Sequence, residues 1–212
     1  MSSHRKAQEP VQTRLSEQRN DELLDIASEV FLEKGFDRAS VGEMAKRANA
    51  SKGTYYTRYA TKELLFSAII RRKTDQVEEA FANIIRNDEE IEVTLKAFGE
   101  RLLMVILLDD AVAIDRVISK EAQRFPELGK IYYEGGPGRM ADLLTTYLRQ
   151  KVSEGVLSIP HPKLAAEQFI DMVTGFIVRR AVLGIGDRAT TRERNQRVHA
   201  AVDVFLKAYQ AK

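Results

Sequence analysis

Residues 40 to 59 hold two short helical segments with a tight break between them, and few folds accept that arrangement. Val41, Met44, Ala45 and Ala48 recur at i, i+3, i+4 and i+7, the spacing that gathers side chains on one face of a helix. Ser40 stands ahead of the stripe as an N-cap, and Glu43 is placed to complete a capping box with it. Asn49 follows, one of the few non-glycine residues that tolerate the left-handed conformation a tight turn needs. Ser51 then caps a third helix expected to run to about Tyr59, and Thr61 with Lys62 opens a fourth through Leu64, Leu65, Ala68 and Ile69. Upstream, Leu23, Ala27, Val30 and Phe31 mark the buried face of a first helix that Gly35 closes. Two short helices joined by a three-residue turn make a helix-turn-helix unit.

Charge changes sign along this stretch. Residues 20 to 37 carry six acids against Lys34 alone, a net of −5, while residues 38 to 62 carry six bases against Glu43 alone, a net of +5. A basic run with interleaved tyrosines suits a surface that faces phosphates. On the third helix Tyr55 and Tyr59, four apart, share an inward face, which leaves Lys52, Gly53, Thr54, Tyr56 and Arg58 on or near the outward one.

Beyond Arg86 the pattern stays helical and strand signals are missing. Ile91, Leu95, Phe98 and Leu102 mark one helix, Val112 to Phe125 the next, Leu128 to Glu134 a short one, and Met140 to Val152 another after the glycine-rich break at 135–138. Pro160 and Pro162 flank the start of a helix through Leu183, and a last helix carries Val198, Val202, Phe205 and Tyr209. The expectation is an all-α chain of about nine helices: a flexible basic arm at 1–19, a helix-turn-helix domain at 20–66 and a helical effector-binding and dimerisation domain at 67–212.

The same residues argue against other classes. With no cysteine among 212 residues there is no thiolate metal site, disulfide or cysteine nucleophile. The three histidines, His4, His161 and His199, lack metal-ligand spacing, and neither HExxH nor GxSxG occurs, so neither a catalytic site nor a cofactor is expected. No apolar run is long enough for a membrane span, and the expected location is cytoplasmic. A helical adaptor that binds only proteins is the alternative reading, but it has no need of the +5 segment.

The stretch LLDIASEVFLEKGFDRASVGEMAKRANASKGTYYTRYATKELLFSAI, residues 23 to 69, resembles the DNA-binding domain of the TetR family of bacterial repressors. The resemblance implies a homodimeric, ligand-responsive repressor on a palindromic operator. It places Lys52, Gly53, Thr54 and Tyr56 at base edges or adjoining backbone in the major groove, and Ser40 and Lys62 at phosphates. Asn49 stands where the family has glycine and Arg58 where histidine is common; the arginine should strengthen a phosphate contact. Gly42 presents no side chain where some members reach DNA from the second helix. The stretch FPELGKIYYEGGPGRMADLLTTYLRQKVSEGVLSIPHPKLAAEQFIDMVTG is similar to the AefR-like subgroup.

Two expectations follow for the C-terminal part. The last two long helices, through Leu164, Met172, Val173, Phe176 and Ile177 on one and Val198, Val202, Phe205 and Tyr209 on the other, should pair with those of a second copy as a four-helix bundle. A small apolar effector should enter among Phe98, Leu102, Met104, Ile114, Phe125, Tyr132, Tyr133, Phe169 and Met172, because aromatic and methionine walls adapt to apolar ligands. The resemblance implies that this ligand moves helix four and releases the DNA.

Overall fold

The computed structural model describes residues 11–86 and 90–211 and is built from ten helices. The first four are α1 (Val11–Arg38), α2 (Val41–Arg47), α3 (Lys52–Tyr56) and α4 (Lys62–Arg86). Six follow: α5 (Ile91–Ile106), α6 (Asp109–Glu121), α7 (Pro126–Gly135), α8 (Pro137–Ser153), α9 (Pro162–Leu183) and α10 (Thr191–Tyr209). The single β contact among the described residues is an isolated bridge between Leu157 and Gln210. No described helix is long and apolar enough to cross a membrane.

Helix α1 begins earlier than expected. Residues 11–19, assigned to a flexible arm, continue the helix, while the first ten residues of that arm lie outside the described residues. At its other end Gly35 takes φ 74°, ψ 168°, and the chain resumes helical turns to Arg38 beyond this kink. Glycine adopts that positive φ without the Cβ clash any other residue would meet. Helix α3 is shorter than expected, ending at Tyr56 with a turn through Thr57 and Arg58.

Two compact units divide between Ile69 and Ile70, inside the continuous helix α4. In the first, Phe31, Phe36 and Phe66 form an aromatic cluster with ring centroids 5.4 to 6.0 Å apart, which joins α1 to the first half of α4. Edge-to-face packing at these distances adds to the burial of each ring.

In the second unit α8 packs on α9, and α10 lies against both α5 and α9. The core between them holds Phe81, Phe98, Leu144, Phe169, Val202 and Phe205, all at or below 1% exposure. Close approach of α5 and α10 depends on Gly99, where a Cβ would stand 2.8 Å from Val198 Cγ1. This packing corrects the expected dimer face. Val198, Val202 and Phe205 are covered by α5 and α9 of their own chain, and Ile177 and Val173 are buried with them, so these residues do not face outward. Phe176 stands 75% exposed, and Tyr209 is partly covered by Phe205 at 4.9 Å.

The expected effector-lining residues likewise separate. Phe98, Leu102 and Phe169 are packed solid in the core, Ile114 is buried, Met104 and Tyr133 are exposed, and Phe125 and Tyr132 are half-buried. Met172 lines an open groove between α9 and α10.

Helix α10 starts on a complete capping box that the sequence pattern did not bring forward: Thr190 Oγ1 accepts from the Glu193 N–H at 3.2 Å, and the Thr190 N–H donates to Glu193 Oε2 at 2.8 Å. Thr190→Ala should lower stability by about 1 kcal/mol, read as a shift of the urea midpoint at unchanged m. A midpoint equal to that of the parent would show that the cap contributes nothing.

Candidate nucleic-acid interface

Helix α2 is short, and its orientation is set by charges at its edges. Ser40 Oγ accepts from the Glu43 N–H at 3.2 Å, which is the first half of the anticipated capping box. The Glu43 carboxylate turns instead to Lys34 at 2.5 Å and to Arg47 at 2.8 Å. Arg47 also grips Glu33 with two bonds of 2.8 and 2.6 Å, the bidentate geometry that arginine offers a carboxylate. These cations hold the Glu33 and Glu43 carboxyls below their usual range, through hydrogen bonds from Arg47 and Lys34 respectively. One base of the +5 segment is therefore bound to acids of its own unit.

The turn between α2 and α3 follows from two residues. Asn49 takes φ 47°, the left-handed conformation expected of it. Arg19 reaches across from α1 to donate to the Ala48 carbonyl at 2.6 Å while its other Nη meets Glu22 at 2.7 Å, so the end of α2 is tied to α1. Local spacing offers the Arg19–Glu22 and Glu43–Arg47 pairs, but nothing in it joins Lys34 to Glu43, Arg47 to Glu33 or Arg19 to Ala48, which lie 9, 14 and 29 positions apart.

The inner side of α3 is anchored by its tyrosines. Tyr55 is 1% exposed and its hydroxyl donates to the Leu23 carbonyl at 2.9 Å; just past the helix, the Tyr59 hydroxyl donates to Asn20 Oδ1, also at 2.9 Å. Burial pushes the Tyr55 phenol up to about 12. Because the folded value lies above the ordinary one near 10, stability is fully present below about pH 10 and falls as pH rises towards 12. Tyr132, pushed to about 12 by burial, contributes in the same window. Tyr55→Phe should flatten part of that alkaline loss in denaturant melts between pH 9 and 12; an unchanged pH profile would rule this assignment out.

On the outer side Lys52, Gly53, Tyr56 and Arg58 are exposed and Thr54 is half-buried. Thr54 Oγ1 lies 3.0 Å from Ser51 Oγ, which also caps α3 by accepting from the Thr54 N–H at 3.1 Å. Arg58 Nη1 rests on the Thr54 carbonyl at 3.3 Å. A Cβ at Gly42 would meet Lys52 Cε at 2.7 Å, so the bare backbone of α2 is where the lysine stem lies. Ser40, at the start of α2, is exposed. Lys62 is placed differently from the others: its ammonium donates to the carbonyls of Asp37 and Ala39 at 3.1 and 3.2 Å and sits 4.6 Å over the Phe36 ring. It closes the connection from α1 to α2.

Residues 23–69 match the family described as bacterial regulatory proteins of the tetR family, and residues 93–211 match the C-terminal domain of the AefR-like transcriptional repressors. The chain belongs to the TetR family. It is a DNA-binding transcriptional regulator of that family, not an enzyme, and its DNA-binding unit is the helix-turn-helix. This TetR-family regulator is similar in structure to a Mesorhizobium loti protein assigned to the same family, with 27% identity and a TM-score of 0.82 over 92% of this chain and 98% of that one. It is also similar to the flavonoid-responsive regulator FrrA, with 30% identity and a TM-score of 0.77 over 92% of this chain and 98% of that one. In sequence it is 23% identical to the uncharacterised helix-turn-helix regulator YvkB of Bacillus subtilis, over 91% of this chain and 97% of that protein.

Proposed function

We propose that this regulator is a repressor that binds an inverted-repeat operator as a homodimer and is released by a small aromatic effector. The observation that carries the DNA part is the outer surface of α3, where Lys52, Gly53, Tyr56 and Arg58 surround Thr54 while Tyr55 and Tyr59 fix the helix from behind. Lysine can donate to guanine O6 and N7 in the major groove, and threonine offers a hydroxyl and a methyl to base edges. Ser40 and Arg58 then meet backbone phosphates, and a two-fold dimer sets one α3 in each of two successive major grooves.

The dimer reading is supported by apolar side chains left on the outside of the last two helices and the loop between them: Phe176 at 75% exposure, Leu183 at 64%, Ile185 at 56% and Val204 at 56%. Large exposed apolar groups gathered on one pair of helices mark an interface. The AefR-like repressor match over residues 93–211 supports the repressor reading.

For the effector, the flavonoid response of FrrA supports an aromatic ligand. Within this chain Asp115 on α6 and Tyr132 on α7 are half-buried polar groups on helices packed against each other, and burial raises the pKa of both. Selection of operator DNA from random duplexes, followed by titration of the selected duplex with flavonoids and simpler phenols, tests the whole reading. The expected result is a palindromic consensus whose complex at least one phenol dissociates. A non-palindromic consensus, or no enrichment, would overturn the operator assignment; phenols that stabilise the protein yet leave operator affinity unchanged would overturn the effector assignment.

A further inference from the structure

Helix α9 carries a self-complementary arrangement centred on one glycine. Gly175 is exposed, and Asp171 and Arg179, the residues four before it and four after, are exposed as well. Neither Asp171 nor Arg179 forms an ion pair or side-chain hydrogen bond among the described residues. Neighbouring Arg180 is less available, since its charge already acts on Glu193 of α10. Gly175 itself breaks the helix, with φ 3° and ψ −114°, and Arg197 of α10 donates to the Met172 carbonyl at 3.1 Å just before the break. A Cβ at 175 would find nothing nearer than Arg197 Nη1 at 3.7 Å, so the packing of this chain leaves the outer side of that position open. Beside it stands Phe176, the most exposed large apolar side chain among the described residues.

We infer that the two-fold axis of the dimer passes at Gly175, so that α9 crosses its copy antiparallel with Asp171 of each subunit facing Arg179 of the other. The inference rests on the dimer reading given above. In an isologous contact a residue n positions before the axis meets the residue n positions after it, and the interaction is made twice. On a helix crossed antiparallel at Gly175, the residues four either side are those that meet, and here they carry opposite charge. Glycine at the crossing lets the two backbones approach closely, and each Phe176 ring settles against the other subunit's groove between α9 and α10. That groove, of about 540 Å³, is floored by Met172, Ile177, Ala200, Ala201 and Val204. A parallel pairing would instead set Asp171 against Asp171 and Arg179 against Arg179.

The test is a charge-swap cycle read by sedimentation equilibrium on the full-length protein, with circular dichroism to confirm that each variant is folded. Asp171→Arg or Arg179→Asp alone should weaken the dimer by roughly tenfold or more, because each places two like-charge pairs in the interface. The double variant should recover the affinity of the parent. With no native cysteine, Gly175→Cys adds a sole thiol that should give a disulfide-linked dimer under copper–phenanthroline oxidation. If the parent is dimeric and the single variants dimerise as tightly, the double variant stays as weak as the singles, or the Gly175→Cys variant fails to cross-link, the placement of the axis is overturned. A parent that is monomeric at micromolar concentration overturns the dimer reading itself.

Discussion

Phe205→Ala should unfold about 3–5 kcal/mol more easily than the parent, whereas Phe176→Glu should leave the fold of the single chain intact and lose the dimer, and with it only the stability that association adds. The two rings lie on the two C-terminal helices that the sequence offers as a single apolar interface, and their surroundings are opposite. Phe205 is 1% exposed and packed against Phe169 at 5.4 Å and Tyr209 at 4.9 Å, so truncation leaves a cavity that the neighbouring helices cannot close. Phe176 is 75% exposed and is hardly covered by its own chain. Surface substitutions of that kind change stability by about 0.5 kcal/mol or less. A carboxylate there would have to be desolvated against a second copy, a cost of several kcal/mol without a partner. Urea denaturation and light scattering separate the effects. If Phe176→Glu remained dimeric, the exposed face of α9 would not be the interface.

The second large effect concerns DNA. Lys52→Ala combined with Arg58→Ala should lower operator affinity by roughly 100-fold, on the basis of about 1.5 kcal/mol for each charged hydrogen bond to the DNA that is removed. The same variant should reduce the slope of log K against log salt by about 1, the share of Arg58 at a phosphate. Thr54→Ala should leave the slope unchanged and alter preference at one or two base pairs by about 1–3 kcal/mol each. Lys62→Ala should behave unlike either. Its ammonium is held by the Asp37 and Ala39 carbonyls, so the variant should destabilise the first unit and lower binding without a proportionate change of slope. Fluorescence anisotropy across a salt series reads all three. A double variant with the slope of the parent would show that Arg58 does not meet a phosphate.

Much of the DNA-binding unit was legible in the sequence because its determinants are local. The Ser40 and Ser51 caps, the left-handed Asn49 and the inward Tyr55 each depend on residues within a few positions or on helical period, and each occurs as expected. The second half of the Ser40 box failed for a tertiary reason: Lys34 and Arg47 compete for the Glu43 carboxylate, and charged donors bind it more strongly than a neutral backbone N–H does. The same competition withdrew Arg47 from the basic segment.

Period and capping residues in this sequence thus determined an all-helical chain, the place of its helix-turn-helix and which side of α3 is outward, since those properties repeat every few residues. Which apolar stripe meets which was decided only in three dimensions. The stripe Val198, Val202 and Phe205 shows the same spacing whether it is covered by a second copy or by α5, and it was the missing Cβ of Gly99, which admits Val198 against α5, that turned the stripe inward. Likewise an aromatic or methionine residue has one sequence signature whether it lines a cavity or fills a core. Phe98, Leu102 and Phe169 fill the core because α5, α9 and α10 approach closely enough to leave no gap between them.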